Sequence, residues 1–130
     1  MENLYIAPTP STPEVDFKFD QHRHSLRGES YPENAAAFYG DIIPPLRAYL
    51  AGCVDQAIEL HIALAYFNSS STKMLFNMIE ALSGAVDAGH NRVAVHWFHD
   101  VEDDTMLEFG EELRDDFPLI DFVIQPVHSG

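Results

Sequence analysis

Four hydroxyl side chains stand in a row, Ser69, Ser70, Ser71 and Thr72, with Asn68 before them and Lys73 after. Upstream, Ile58, Leu60, Ile62, Leu64 and Tyr66 alternate with Glu59, His61, Ala63 and Ala65. An alternating pattern whose second face turns small and apolar near its end predicts a strand buried on both sides. Downstream, Leu75, Met78, Ile79, Leu82 and Val86 recur at helical spacing, and Gly89 offers a natural stop. The hydroxyls therefore fall at a helix start, where the first amides have no internal partner and the dipole is positive. A strand that delivers serines to such a point is suited to hold an anion, or to become one. The plainer role is also open: Ser69 can be an N-cap, worth about 1 kcal/mol.

Histidines are the second group with chemical potential. His96 and His99 with Asp100 could form a metal cluster, which would make the chain a small metal-binding protein or an enzyme. On a strand, however, residues three apart point to opposite faces, so His96 and His99 diverge while the strand continues. His22 and His24 share one face of a hairpin strand, but no partner motif joins them, so no metal ligand is assigned. For catalysis the nucleophiles on offer are Cys53 and the serines. The chain has no Gly-x-Ser-x-Gly elbow, P-loop or Gly-rich dinucleotide turn. Cys53, beside Gly52 at a helix end, reads as a small buried residue. We expect no catalytic residue and no cofactor. Trp97, Phe98 and the pair Met74 and Met78 are assigned to the core. Met74 or Phe76, if turned outward, would instead be interface residues.

The remaining elements follow from local pattern. Leu4 to Ile6 can form a short strand, after which Pro8, Pro10 and Pro13 exclude helix and central strand. Val15, Phe17 and Phe19 alternate with Asp16, Lys18 and Asp20, and His24 to Arg27 can return beside them through a turn near Gln21 to Arg23. Ser30 with Glu33 resembles a capping box, with Pro32 in the first turn of a helix that buries Phe38, Ile42, Leu46 and Tyr49. Pro44 and Pro45 should kink or break that helix near Gly40 and Asp41, and Gly52 should end it. Arg92 to Phe98 is rich in strand formers. Asp103 or Asp104 should cap a last helix with Met106, Phe109, Gly110 and Leu113 inward and five acids outward. Ile120, Phe122 and Ile124 make a final strand. The order implies an α/β fold: a mixed, mostly parallel sheet flanked by helices, with right-handed crossovers.

Composition bounds the rest. One domain over residues 1–130, long enough to bury a core, is expected from 130 residues with a 46% hydrophobic fraction. The formal net charge of -14, from 21 acids against 7 bases, repels phosphate backbones and anionic lipid, so neither nucleic acid nor a membrane surface is expected as a partner. Solubility is the plain reading of that charge; a basic protein partner is the sharper one. The single cysteine, Cys53, excludes an internal disulfide and suits a reducing compartment. No signal-peptide pattern opens the chain, and no apolar run approaches the roughly 20 residues of a membrane helix. A cytoplasmic location is expected.

Ser11-Thr-Pro13, Gly28-Glu-Ser-Tyr-Pro-Glu-Asn34, Tyr66-Phe-Asn-Ser-Ser-Ser-Thr-Lys73 and Val95-His-Trp-Phe98 resemble, in that order, the SiaC family of bacterial regulatory phosphoproteins. The Ser-Tyr-Pro-Glu-Asn and Tyr-Phe-Asn-Ser-Ser motifs are the specific parts. The resemblance implies a STAS-like fold, the anti-sigma-factor-antagonist type, and a non-enzymatic partner-switching adaptor. It implies phosphorylation of the residue after the Asn, here Ser69, with Ser70, Ser71 and Thr72 as competing acceptors. The implied partners are a GHKL-type serine/threonine kinase, a PP2C-type phosphatase and a diguanylate cyclase, which the unphosphorylated form binds and activates in biofilm control. On this reading Asn68, Ser70 and Lys73, with Met74 and Phe76 if exposed, shape the docking surface. A constitutive binding module, in which the serines only cap the helix, is the competing non-enzymatic reading.

Overall fold

The computed structural model describes residues 2–128. A six-stranded sheet is ordered as in the sequence: β1 (Leu4–Ile6), β2 (Glu14–Lys18), β3 (Arg23–Ser30), β4 (Ala57–Phe67), β5 (Arg92–Asp100) and β6 (Asp121–Val127). The pairs β1–β2 and β2–β3 are antiparallel, and the three later pairs are parallel. The helices are α1 (Ala35–Gly40), α2 (Ile43–Ala51), α3 (Ser69–Gly89) and α4 (Asp104–Asp116).

Each parallel connection steps one place in the same direction across the sheet. Crossovers of one hand then put every helix on the same face. Burial shows the result: Val15, Phe17, Leu26, Ile58, Leu60, Ile62, Val93, Val95 and Trp97 alternate with half-buried neighbours and form the core with Leu75, Met78, Ile79 and Leu82 of α3. This corrects the expectation that the central strand is buried on both sides. Glu59, His61 and Ala63 lie on an open face, half-buried by their neighbours alone, and Ala65 is exposed. An apolar second face was compatible with a covering layer, but the topology supplies none.

The break near Gly40 and Asp41 occurs as expected. Pro44 and Pro45 cannot serve as donors, and Pro44 would strike the carbonyl of Gly40 in a continuous helix. The chain closes α1 with Asp41 N donating to Phe38 O at 3.2 Å and reopens with Leu46 N donating to Ile42 O at 3.2 Å. The long helix that the sequence places second is consequently α3. The Ser30–Glu33 capping box does not form. Ser30 is the last residue of β3, and Asn34 caps α1, accepting from Ala37 N at 3.0 Å. Pro32 precedes the helix and is buried. The helix stop also moves by one residue. Gly89 is inside α3, where a Cβ would run into Cys53 O, and the left-handed residue is His90, at φ 54°. Asp103 caps α4, accepting from Met106 N at 3.0 Å.

Candidate functional site

The hydroxyl run lies at the C-terminal edge of the parallel strands, where an open α/β sheet places its crevice. Asn68, not Ser69, is the N-cap of α3. Its backbone is extended, and its side-chain oxygen accepts from Ser71 N at 2.9 Å. Asn68 O takes Thr72 N at 3.2 Å, so the helix begins with its third and fourth amides satisfied. The amides of Ser69 and Ser70 have no partner among the described residues.

The four hydroxyls face different surroundings, because successive helical residues are about 100° apart around the axis. Ser69 and Ser70 are exposed. Ser71 is fully buried, within 2.8 Å of the Ser30 hydroxyl and donating to Ser30 O at 3.1 Å. Thr72 is half-buried, its hydroxyl donating to Asn68 O at 3.2 Å. Of the competing acceptors, then, Ser71 has no surface for an enzyme to reach and Thr72 has its proton committed. Lys73 is exposed one turn into the helix. Met74 and Phe76 do not turn outward: both are half-buried against the core, the Phe76 ring 5.0 Å from that of Phe117.

Three motifs distant in sequence meet here. Ser11 O accepts from Tyr31 N at 2.8 Å, and Ser30 O accepts from Asn68 N at 2.9 Å. Tyr31 and Tyr66 then pack edge to face, centroids 5.8 Å apart, yet remain 39% and 51% exposed. This half-exposed pair, next to the turn into α3, is an apolar surface that sequence reasoning did not name. Its signal was available: Tyr66 ends a strand just before an Asn cap, and Tyr31 sits in the Ser-Tyr-Pro-Glu-Asn motif. A cavity of about 160 Å³ is lined by Tyr66, Phe67, Asp103, Thr105 and Met106.

The histidines separate. His99 is buried on the helix side, with Nδ1 2.8 Å from Asp100 O. His96 lies on the open face, its ring stacked on that of His61 at 4.5 Å and 14°. Parallel register aligns His61 with His96, a neighbour that spacing within one strand cannot reveal. Burial, then the neighbouring His96, lowers the pKa of His61, with Glu59 opposing. His22 and His24 both approach the Tyr49 ring, at 5.6 and 5.0 Å. Among the described residues no three His, Cys, Asp or Glu side chains are grouped to hold a metal ion. Cys53 is buried, its thiol donating to Tyr49 O at 3.3 Å. No helix among the described residues is long and apolar enough to cross a membrane.

Fold and site together define a two-layer α/β protein that presents two serines at a helix N-terminus beside a pair of exposed aromatic rings. The chain belongs to the SiaC family of regulatory phosphoproteins, whose family model matches residues 6–127. An uncharacterised protein of Pseudomonas aeruginosa is 34% identical over 121 residues, 92% of this chain and 94% of that one. The crystal structure of apo-SiaC from P. aeruginosa superposes with a TM-score of 0.86 at 33% identity, covering 96% of this chain and 99% of that one. SiaC in a solved complex, described as diguanylate cyclase SiaD with its activator SiaC from the same organism, gives a TM-score of 0.86 at 32% identity, covering 95% and 99%.

Proposed function

We propose that this chain is a non-enzymatic adaptor whose unphosphorylated form binds and activates a diguanylate cyclase, and that phosphorylation of Ser69 releases it. The observation that carries the reading is the exposed Ser69 hydroxyl at the first position of α3, in a chain of a regulatory phosphoprotein family. The likeness to SiaC, the activator in the cyclase complex, supports the choice of output partner. A GHKL-type kinase would add the phosphate and a PP2C-type phosphatase would remove it.

The physical chemistry suits such a switch. A phosphate brings close to two negative charges and three acceptor oxygens. The open amides of Ser69 and Ser70 and the positive end of the α3 dipole stabilise that charge, so the fold survives modification. The surface does change. Tyr31 and Tyr66 offer amphipathic rings of the kind that anchor interfaces. A dianion beside them must be desolvated, or avoided, by anything that packs there. Asn68, Ser70 and Lys73 border the same surface.

The test combines modification with binding. Incubation with ATP and the cognate kinase, followed by mass spectrometry, should place one phosphate on Ser69. Ser69→Ala should fold normally, take no phosphate there and retain cyclase binding, whereas Ser69→Glu should bind about tenfold or more weakly by calorimetry. Equal affinities for the two variants would sink the proposal.

A further inference from the structure

The sheet face away from the helices is open although its strands are mostly parallel. Antiparallel sheets commonly leave one face to water, whereas parallel strands are almost always covered on both. Here β3 to β6 form three parallel pairs, and the core lies on one side of them only. The middle of the open face is low: Ala63 and Ala94 stand beside the stacked rings of His61 and His96, all four half-buried. Charge also sets this face apart. Strand alternation puts Lys18, Arg23, Arg27 and Arg92 on it, with Glu14, Asp16, Glu59, Asp100 and Asp121. With four of the seven bases and five of the 21 acids, it carries one net negative charge of the chain's fourteen. A second copy of this chain is therefore repelled least at this face.

The charges are also sorted across the face. Strand register puts Lys18, Arg23, Glu59, Ala94 and Asp121 in one row, bases at the β2–β3 end and an acid at the β6 end. A two-fold axis parallel to the strands and over β4 lays the β2–β3 side of one copy on the β5–β6 side of the other. Lys18 then meets the partner's Asp121, and Arg23 meets the partner's Ala94. In the row of Arg27, Ala63 and Phe98, the guanidinium meets the partner's Phe98, an attractive cation–π contact. Of the charged groups only Glu59 meets its own counterpart, and it already holds Arg23 at 3.5 Å and His61 at 3.6 Å. An axis across the strands would instead set Asp16 on the partner's Asp16 and Arg23 on the partner's Arg27. We propose that two copies of this chain pair through the open sheet face about the strand-parallel axis, with Lys18 and the partner's Asp121 as reciprocal ion pairs. Such an isologous contact closes on itself, and it leaves α3 and Ser69 free in both copies. Five strands about 4.8 Å apart and about eight residues long give a face of roughly 20 by 25 Å, at the small end of specific interfaces. The dimer is therefore of micromolar affinity. The inference does not depend on phosphorylation.

The experiment is sedimentation velocity on the full chain over roughly 1–500 µM, a range that brackets micromolar association. Wild type should pass from a 14.6 kDa monomer to twice that mass. Lys18→Glu and Asp121→Lys should each weaken the dimer about tenfold or more, because the two-fold repeats every lost pair. The exchange variant Lys18→Glu/Asp121→Lys should return to within about threefold of wild type, because each copy again offers the opposite charge. Both positions are exposed, so thermal melts should stay close to wild type. Lys18 also lies 3.9 Å from Asp16 in its own strand. If a Lys18 variant does not fold, Asp121→Lys and the isosteric Asp121→Asn decide by the same loss of dimer. A wild type that stays monomeric throughout overturns the proposal and leaves the face to water or to another protein. A dimer that ignores the single reversals, or that the exchange does not restore, overturns this arrangement.

Discussion

His24 shows how one residue can carry a property of the whole chain. It is 2% exposed among Phe17, Phe19 and Tyr49, at centroid distances of 5.3, 5.5 and 5.0 Å. Neither ring nitrogen has a hydrogen-bond partner among the described residues. Burial first, and the neighbouring His22 second, hold its pKa down to about 4. The folded state therefore keeps the ring neutral, while the unfolded chain binds a proton below about pH 6.5. Stability is fully present above that pH and is lost as pH falls towards 4. Between pH 7.5 and 4.5 the loss from this group is about 2–3 kcal/mol. Urea midpoints at the two pH values should fall more steeply on acidification for wild type than for His24→Leu. Parallel pH dependence of the two proteins would remove His24 as the cause. The sequence placed this residue on a hairpin strand; its buried ring could be seen only once Tyr49 of α2 was packed over it.

At the scale of elements, glycine positions separate helix propensity from packing. Gly110 of α4 faces the Trp97 ring, and a Cβ there would lie 2.6 Å from Cδ1 and 2.7 Å from Nε1. The ring cannot retreat easily. It is fully buried, its Nε1 donates to Met106 O at 2.9 Å, and Phe109 abuts it edge-on at 5.6 Å. Gly110→Ala should therefore cost about 1–3 kcal/mol despite alanine's better helix propensity. Gly84 sits exposed in α3 with nothing within 4 Å of its added Cβ. Gly84→Ala should stabilise by up to about 1 kcal/mol. Thermal melts should move in opposite directions for the two variants; a common direction would contradict the packing account. The α4 pattern of Met106, Phe109, Gly110 and Leu113 inward was legible from spacing. The Ser30–Glu33 cap was not, because the same serine completes β3 and its buried hydroxyl instead bonds those of Tyr39, at 2.6 Å, and Ser71, at 2.8 Å.

The whole molecule gathers one working edge from three parts of the chain. Parallel strands β3 and β4 end side by side, so Ser30 meets Asn68, Ser11 holds Tyr31, and Tyr31 meets Tyr66. The rings stay 39% and 51% exposed and flank the turn that leads into α3, so they should contribute more to binding than to folding. Tyr66→Ala is expected to weaken cyclase binding by about tenfold or more, in the range of an interface hot spot. Its melting temperature should stay within about 2 °C of wild type. Retained affinity would take the aromatic pair out of the docking surface. A large fall in melting temperature would assign the pair to the core instead.

The sequence by itself determined the order of strands and helices, the broken first helix, the acid-rich face of α4 and the position of a hydroxyl run at a helix start. These are local matters: periodicity, proline's missing donor and capping preference act over a few residues. It also carried the motifs of the family. Only the tertiary structure decided which hydroxyls of the run face solvent, which aromatic rings stay exposed and which face of the sheet is left open. Those outcomes depend on contacts between residues far apart in the chain. Ser71 turns inward with the buried stripe of Leu75, Met78, Ile79 and Leu82 and meets a serine at the end of β3, a partner that no pattern within residues 68–73 encodes.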